Sequence, residues 1–130
     1  MDRVTAPSPD QPLRRVLVVD DDGPVRAVLA RQLEALGVQV TTAAGGAQAI
    51  VRLDAERFDA LFLDLDMPGV TGLDVLLHVQ RAAPRMPVVV VTGTLEAERI
   101  EGAMKVLGKP IDSGALGEAL RQALEAGGEV

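Results

Sequence analysis

A chain of 130 residues, 48% hydrophobic and 25% charged, has the size and balance of one globular domain, which excludes wholesale disorder and a two-domain division. Thirteen basic against nineteen acidic residues leave a net charge of −6, a field that repels nucleic acid, and two Phe with no Trp or Tyr give no platform on which bases could stack. With no cysteine there is no disulfide, thiolate zinc site or cysteine nucleophile; no apolar run reaches the ~18 residues of a membrane span and no signal peptide opens the chain, so a cytoplasmic protein off the membrane is expected.

Residues 1–14, with Pro7, Pro9 and Pro12 among small and polar side chains, read as a flexible N-terminal tail. The folded domain is then expected over 15–126, with a short C-terminal tail over 127–130. Val16-Leu17-Val18-Val19 is a continuous apolar strand, the pattern of a strand covered by helices on both faces. Pro24 suits a first helical turn, Asp22 can cap it, and Val25, Val28, Leu29, Leu33 and Leu36 recur at helical spacing up to Gly37. A second strand is expected over Gln39–Ala43, a second helix over 47–56, and a third strand over Ala60-Leu61-Phe62-Leu63 ending in Asp64. Turn residues from Met67 to Gly72 lead to a third helix that starts near Gly72 and runs to about Ala83. Val88 to Val91 is the fourth strand, 95–104 a fourth helix, Val106-Leu107 a very short fifth strand, and Ser113 the expected cap of a last helix carrying Leu116, Leu120 and Leu124.

Strict alternation of five strands with five helices, joined by right-handed crossovers, predicts an α/β fold: an open, doubly wound parallel sheet with helices on both faces. In order 2-1-3-4-5, ligands bind beyond the carboxyl ends of strands one and three, where Asp20, Asp21 and Asp64 fall. Carboxylates gathered so closely raise one another's pKa, and a bound cation relieves the repulsion. Few, hard oxygen ligands favour magnesium over a fully caged calcium, and no D-x-D-x-D-G calcium loop is present. Such an ion beside a carboxylate suits phosphoryl chemistry.

Val18-Val19-Asp20-Asp21-Asp22, then Leu63-Asp64-Leu65-Asp66-Met67-Pro68-Gly69 with Gly72, then Val91-Thr92-Gly93 and Lys109-Pro110 resemble, in order and at strand ends, the receiver domain of two-component response regulators. The resemblance covers roughly 14–126 and implies the flavodoxin-like, three-layer receiver fold. It implies Asp64 as phosphoacceptor from a histidine kinase or histidine phosphotransfer protein. It also implies Asp21 and Asp64 as direct Mg2+ ligands, Asp66 as a ligand through its backbone carbonyl and Asp20 as one through water. Thr92 and Lys109 are implied to contact the phosphoryl oxygens. Such a domain catalyses only its own phosphorylation and dephosphorylation and is otherwise not an enzyme; a homodimer is left open.

The chain departs from that pattern in places. From Thr92 to Lys109 it is shorter than usual by more than a helical turn, which alters the face built from the fourth helix, fifth strand and last helix. The switch position that usually carries an aromatic ring is Val106, leaving Thr92 and Val106 as the switch pair. Asp66 puts an additional charge beside the phosphoryl site, and His78, the sole histidine, reads as a surface residue of the third helix. Two other readings exist. Asp64-Leu65-Asp66 also fits the D-x-D of an aspartyl-phosphate phosphatase, though too little chain follows for the remaining acids. The stronger rival is a phosphorylation-independent interaction module on the same fold.

Overall fold

The structure, a computed structural model, describes residues 14–93 and 100–128. Five parallel strands, β1 (Arg15–Val19), β2 (Gln39–Ala43), β3 (Ala60–Asp64), β4 (Val88–Thr92) and β5 (Lys105–Gly108), form one sheet in the order β2-β1-β3-β4-β5. Four helices among the described residues, α1 (Gly23–Glu34), α2 (Gly46–Ala55), α3 (Gly72–Ala82) and α4 (Ser113–Gly128), cover it. The doubly wound sheet predicted from the alternation is the one observed.

Each strand feeds two cores because its side chains alternate between faces. Val16, Val18, Ala60, Phe62, Val89, Val91 and Leu107 pack under α1 and α4 with Leu29, Leu33, Leu116 and Leu120. Leu17, Val19, Leu61, Leu63, Val88 and Val90 pack under α2 and α3 with Ala49, Val75, Leu76 and Val79. All five residues of β3 and of β4 are buried, as the uninterrupted apolar runs require.

Helix starts follow local chemistry. Asp22 Oδ1 accepts from the Val25 N–H at 3.1 Å with Pro24 in the first turn, as read from the sequence. Gly37 closes the exit of α1 at φ 98°, a left-handed conformation that a side chain would resist. Thr71 and Asp74 form a reciprocal capping box at α3, Thr71 Oγ1 accepting from the Asp74 N–H at 3.2 Å and Asp74 Oδ2 from the Thr71 N–H at 2.9 Å. Thr71→Ala is expected to cost about 1 kcal/mol, read as a lower urea midpoint at unchanged slope.

Three expectations are corrected. The cap of α4 is Asp112, whose Oδ2 accepts from the Ala115 N–H at 2.8 Å, and Ser113 is instead the first helical residue. That helix runs through Gly128. The fourth helix expected over 95–104 falls partly outside the described residues, and 100–104 form a turn with Gly102 at φ 93°. β5 is four residues long because Lys105 and Gly108 join the ladder against Val89 and Thr92. The expected tails lie outside the described residues save for Arg14 and the end of α4; Arg14 is already tied in, its carbonyl accepting from the Gln39 N–H at 2.8 Å.

Candidate functional site

The site is built by register. Val19 pairs with Leu63, so Asp20 emerges from β1 beside Asp64 at the end of β3, strands lying about 4.8 Å apart. Asp64 pairs with Val91, Thr92 with Gly108, and the Lys109 N–H donates to the Thr92 carbonyl at 2.9 Å. Five polar residues at four strand ends thus converge on one edge: Asp20, Asp21, Asp64, Thr92 and Lys109. The Lys109–Pro110 peptide is cis.

Strand parity then divides them. Asp64 continues the alternation of Ala60 and Phe62, and Lys109 that of Leu107, toward the α1/α4 face. Thr92 continues Val88 and Val90 toward the α2/α3 face, where Val106 also packs. One carboxylate oxygen from each of Asp20, Asp21 and Asp64 lies within 4.8 Å of the others. Asp20 and Asp64 are buried and Asp21 is exposed. The meeting of these three, on which the acidic reading depended, is observed.

Part of the repulsion is met by protein groups. Lys109 Nζ lies 2.9 Å from Asp20 Oδ2 and 3.6 Å from Asp64 Oδ1. Asp20 Oδ1 accepts from the Asp22 N–H at 2.9 Å, and Asp64 Oδ1 from the Asp66 N–H at 3.1 Å. Arg26 donates to the Asp20 carbonyl at 2.7 Å, fixing the turn. Burial is the largest influence on Asp64 and raises its pKa from 3.8 to about 6; Asp20 adds to the rise, while the Asp66 N–H and Lys109 oppose it. The carboxyl is still mostly ionised at pH 7. For Lys109, burial pushes the pKa down, but the Asp20 contact and the charges of Asp64 and Asp22 outweigh it and the net shift is upward.

One lysine does not balance three carboxylates. Asp20 Oδ2 is fully buried and, apart from its ion pair with Lys109, accepts no hydrogen bond. A buried oxygen met only by one ammonium, two further carboxylates within reach and hard donors only are the requirements of a small divalent cation that keeps several waters. The residues fit that group.

The family model described as the response regulator receiver domain matches residues 16–121. The chain belongs to the response regulator receiver domain family. The receiver domain is 34% identical over 115 residues to the transcriptional regulatory protein GlrR of Escherichia coli, covering 85% of this chain and 26% of that protein. It is 37% identical over 115 residues to the sensory/regulatory protein RpfC of Xanthomonas campestris, covering 82% of the chain and 16% of that protein. It therefore spans about a quarter or less of these relatives. Among solved structures, a CheY-like receiver domain protein of Methanospirillum hungatei superposes with a TM-score of 0.82 at 26% identity, over 89% of this chain and 97% of that one. The response regulator TrrA of Thermotoga maritima, in complex with Mg2+ and BeF, superposes with a TM-score of 0.80 at 26% identity, over 86% of this chain and all of that one.

Two contacts were not foreseen. Thr92, 2% exposed, donates its hydroxyl to Asp66 Oδ2 at 3.1 Å, so the side chain of Asp66 engages the buried threonine at the end of β4. The only sequence signal was a second acid two positions after Asp64. His78 Nε2 lies 2.8 Å from Asp54 Oδ1, pairing α3 with α2 at the surface. Among the described residues no helix is long and apolar enough to cross a membrane.

Proposed function

We propose that this receiver domain accepts a phosphoryl group on Asp64 from the phosphohistidine of a histidine kinase or phosphotransfer protein, and that the modification changes its affinity for a partner protein. The observation that carries the reading is the convergence of Asp20, Asp21 and Asp64 with Lys109 at one strand edge. An ionised Asp64 oxygen attacks phosphorus, the O–P bond forms as the N–P bond breaks, and the imidazole leaves with the electron pair and takes up a proton. Asp64 needs no general base, since it is already mostly ionised at neutral pH. Lys109 holds the ammonium charge within reach of the incoming oxygens, and a flexible point charge suits a small phosphoryl group.

Asp21, Asp64 and the Asp66 backbone carbonyl would hold Mg2+, with Asp20 acting through water. When bound, the ion supplies neutralisation of charge on the transferring phosphoryl oxygens. The Mg2+ and BeF found with TrrA support this choice of ion. The domain is a self-modifying switch with no other turnover.

Intact mass after incubation with acetyl phosphate is the test. One phosphate is gained with Mg2+, and none after chelation or in Asp64→Asn; a gain that persists in Asp64→Asn moves the acceptor elsewhere and overturns the reading. Lys109→Ala should fold and still take up phosphate, with the partner response lost. A full response in that variant would contradict the role given to Lys109.

A further inference from the structure

The hydroxyl of Thr92 has one proton to donate, and in this structure it is given to Asp66 Oδ2. Resting on the phosphoacceptor reading above, we infer that the Asp66 side chain is a latch: it holds Thr92 away from Asp64 in the resting state, and phosphorylation must break this contact before Thr92 can serve a phosphoryl oxygen. Thr92 is nine-tenths and more buried and starts on the α2/α3 face, whereas the Asp64 carboxylate belongs with Asp20 and Lys109 on the other. Asp66 is well placed for the task, because its own N–H donates to Asp64 Oδ1 at 3.1 Å. One residue therefore touches both acceptor and switch, by backbone to the first and by side chain to the second.

The latch makes Asp66 a positioning residue, acting through Thr92, and its effect differs from that of charge alone. A carboxylate near a dianion repels it whatever stands at position 92. A latch acts only if position 92 carries a hydroxyl. Hydrogen bonds to a charged acceptor are strong enough that freeing Thr92 should improve binding of a phosphoryl mimic by about tenfold.

Beryllofluoride with Mg2+ is the probe, titrated by NMR against the full chain as wild type, Asp66→Ala, Thr92→Val and the double variant. The metal-free proteins, with Asp66→Asn added, are examined for the Thr92 side-chain rotamer through its methyl carbon couplings. Thr92 should hold one rotamer in wild type and in Asp66→Asn, which retains an acceptor oxygen, and should average in Asp66→Ala. Asp66→Ala should tighten beryllofluoride binding about tenfold more with Thr92 present than in the Thr92→Val background. An equal gain in both backgrounds, or a Thr92 rotamer indifferent to Asp66→Ala, overturns the latch while leaving the acceptor role of Asp64 standing. Failure of every variant to bind beryllofluoride overturns the acceptor reading, and the latch falls with it.

Discussion

With magnesium chelated at pH 8, Asp64→Asn is expected to resist urea better than wild type, by about 2 kcal/mol. The folded carboxyl titrates near 6 against an ordinary value of 3.8, so between these values the native state holds a proton that the unfolded chain has released. Stability from this group is present below about pH 4 and is lost as pH rises through about 6. At about 1.4 kcal/mol per pH unit, the interval bounds the cost of the charged form at about 3 kcal/mol, and a neutral amide of the same shape avoids most of it. The advantage of the variant should therefore shrink as pH falls from 7 to 4 and vanish in acid. Saturating Mg2+ should narrow or reverse the order at pH 8, because the ion stabilises the state that binds it and the variant has lost a ligand. A constant advantage at all pH values would mean that the charge of Asp64 is not what the native fold opposes.

Gly72→Ala is expected to cost about 3 kcal/mol or more, although Gly72 lies in the first turn of α3 and alanine is the better helix former. A β-carbon there would stand 2.4 Å from the Asp64 carbonyl oxygen and 2.6 Å from the Leu65 Cα, both backbone atoms that no rotamer change can move. Close-packed interiors absorb such an overlap only by shifting elements, and the element here is the end of β3. The variant should lose stability and also weaken Mg2+ binding, since Asp64 moves with its own carbonyl. Urea unfolding and Mg2+ titration check the two effects. A stability within about 1 kcal/mol of wild type would mean that α3 and β3 separate more easily than their packing indicates.

Most of the scaffold was legible because its signals are local and redundant. Four apolar residues in a row at 16–19, 60–63 and 88–91 admit buried strands, and the periodic leucines between them admit helices. Direction of crossover does the rest. Asp20, Asp21 and Asp64 were legible for a related reason: strand ends in a parallel sheet share an edge, so acids at those ends must meet, whereas Lys109 was placed by the family resemblance. What escaped depends on differences smaller than any local signal. Asp112 and Ser113 are both good caps one residue apart, and only the final backbone geometry selects the first. The turn at 100–104 follows Gly102, which a helical pattern absorbs at modest cost on paper. The Thr92 to Asp66 bond joins residues 26 positions apart through two side-chain torsions, and nothing in a string of residues encodes that reach.

The alternation that sends Asp64 and Lys109 to one side of the sheet sends Thr92 and Val106 to the other. On the phosphoacceptor reading proposed above, Val106 has no ring to swing, and a displacement of Thr92 would be what β4 and β5 carry to the α2/α3 face, as a change in the packing that Val90 and Val106 share.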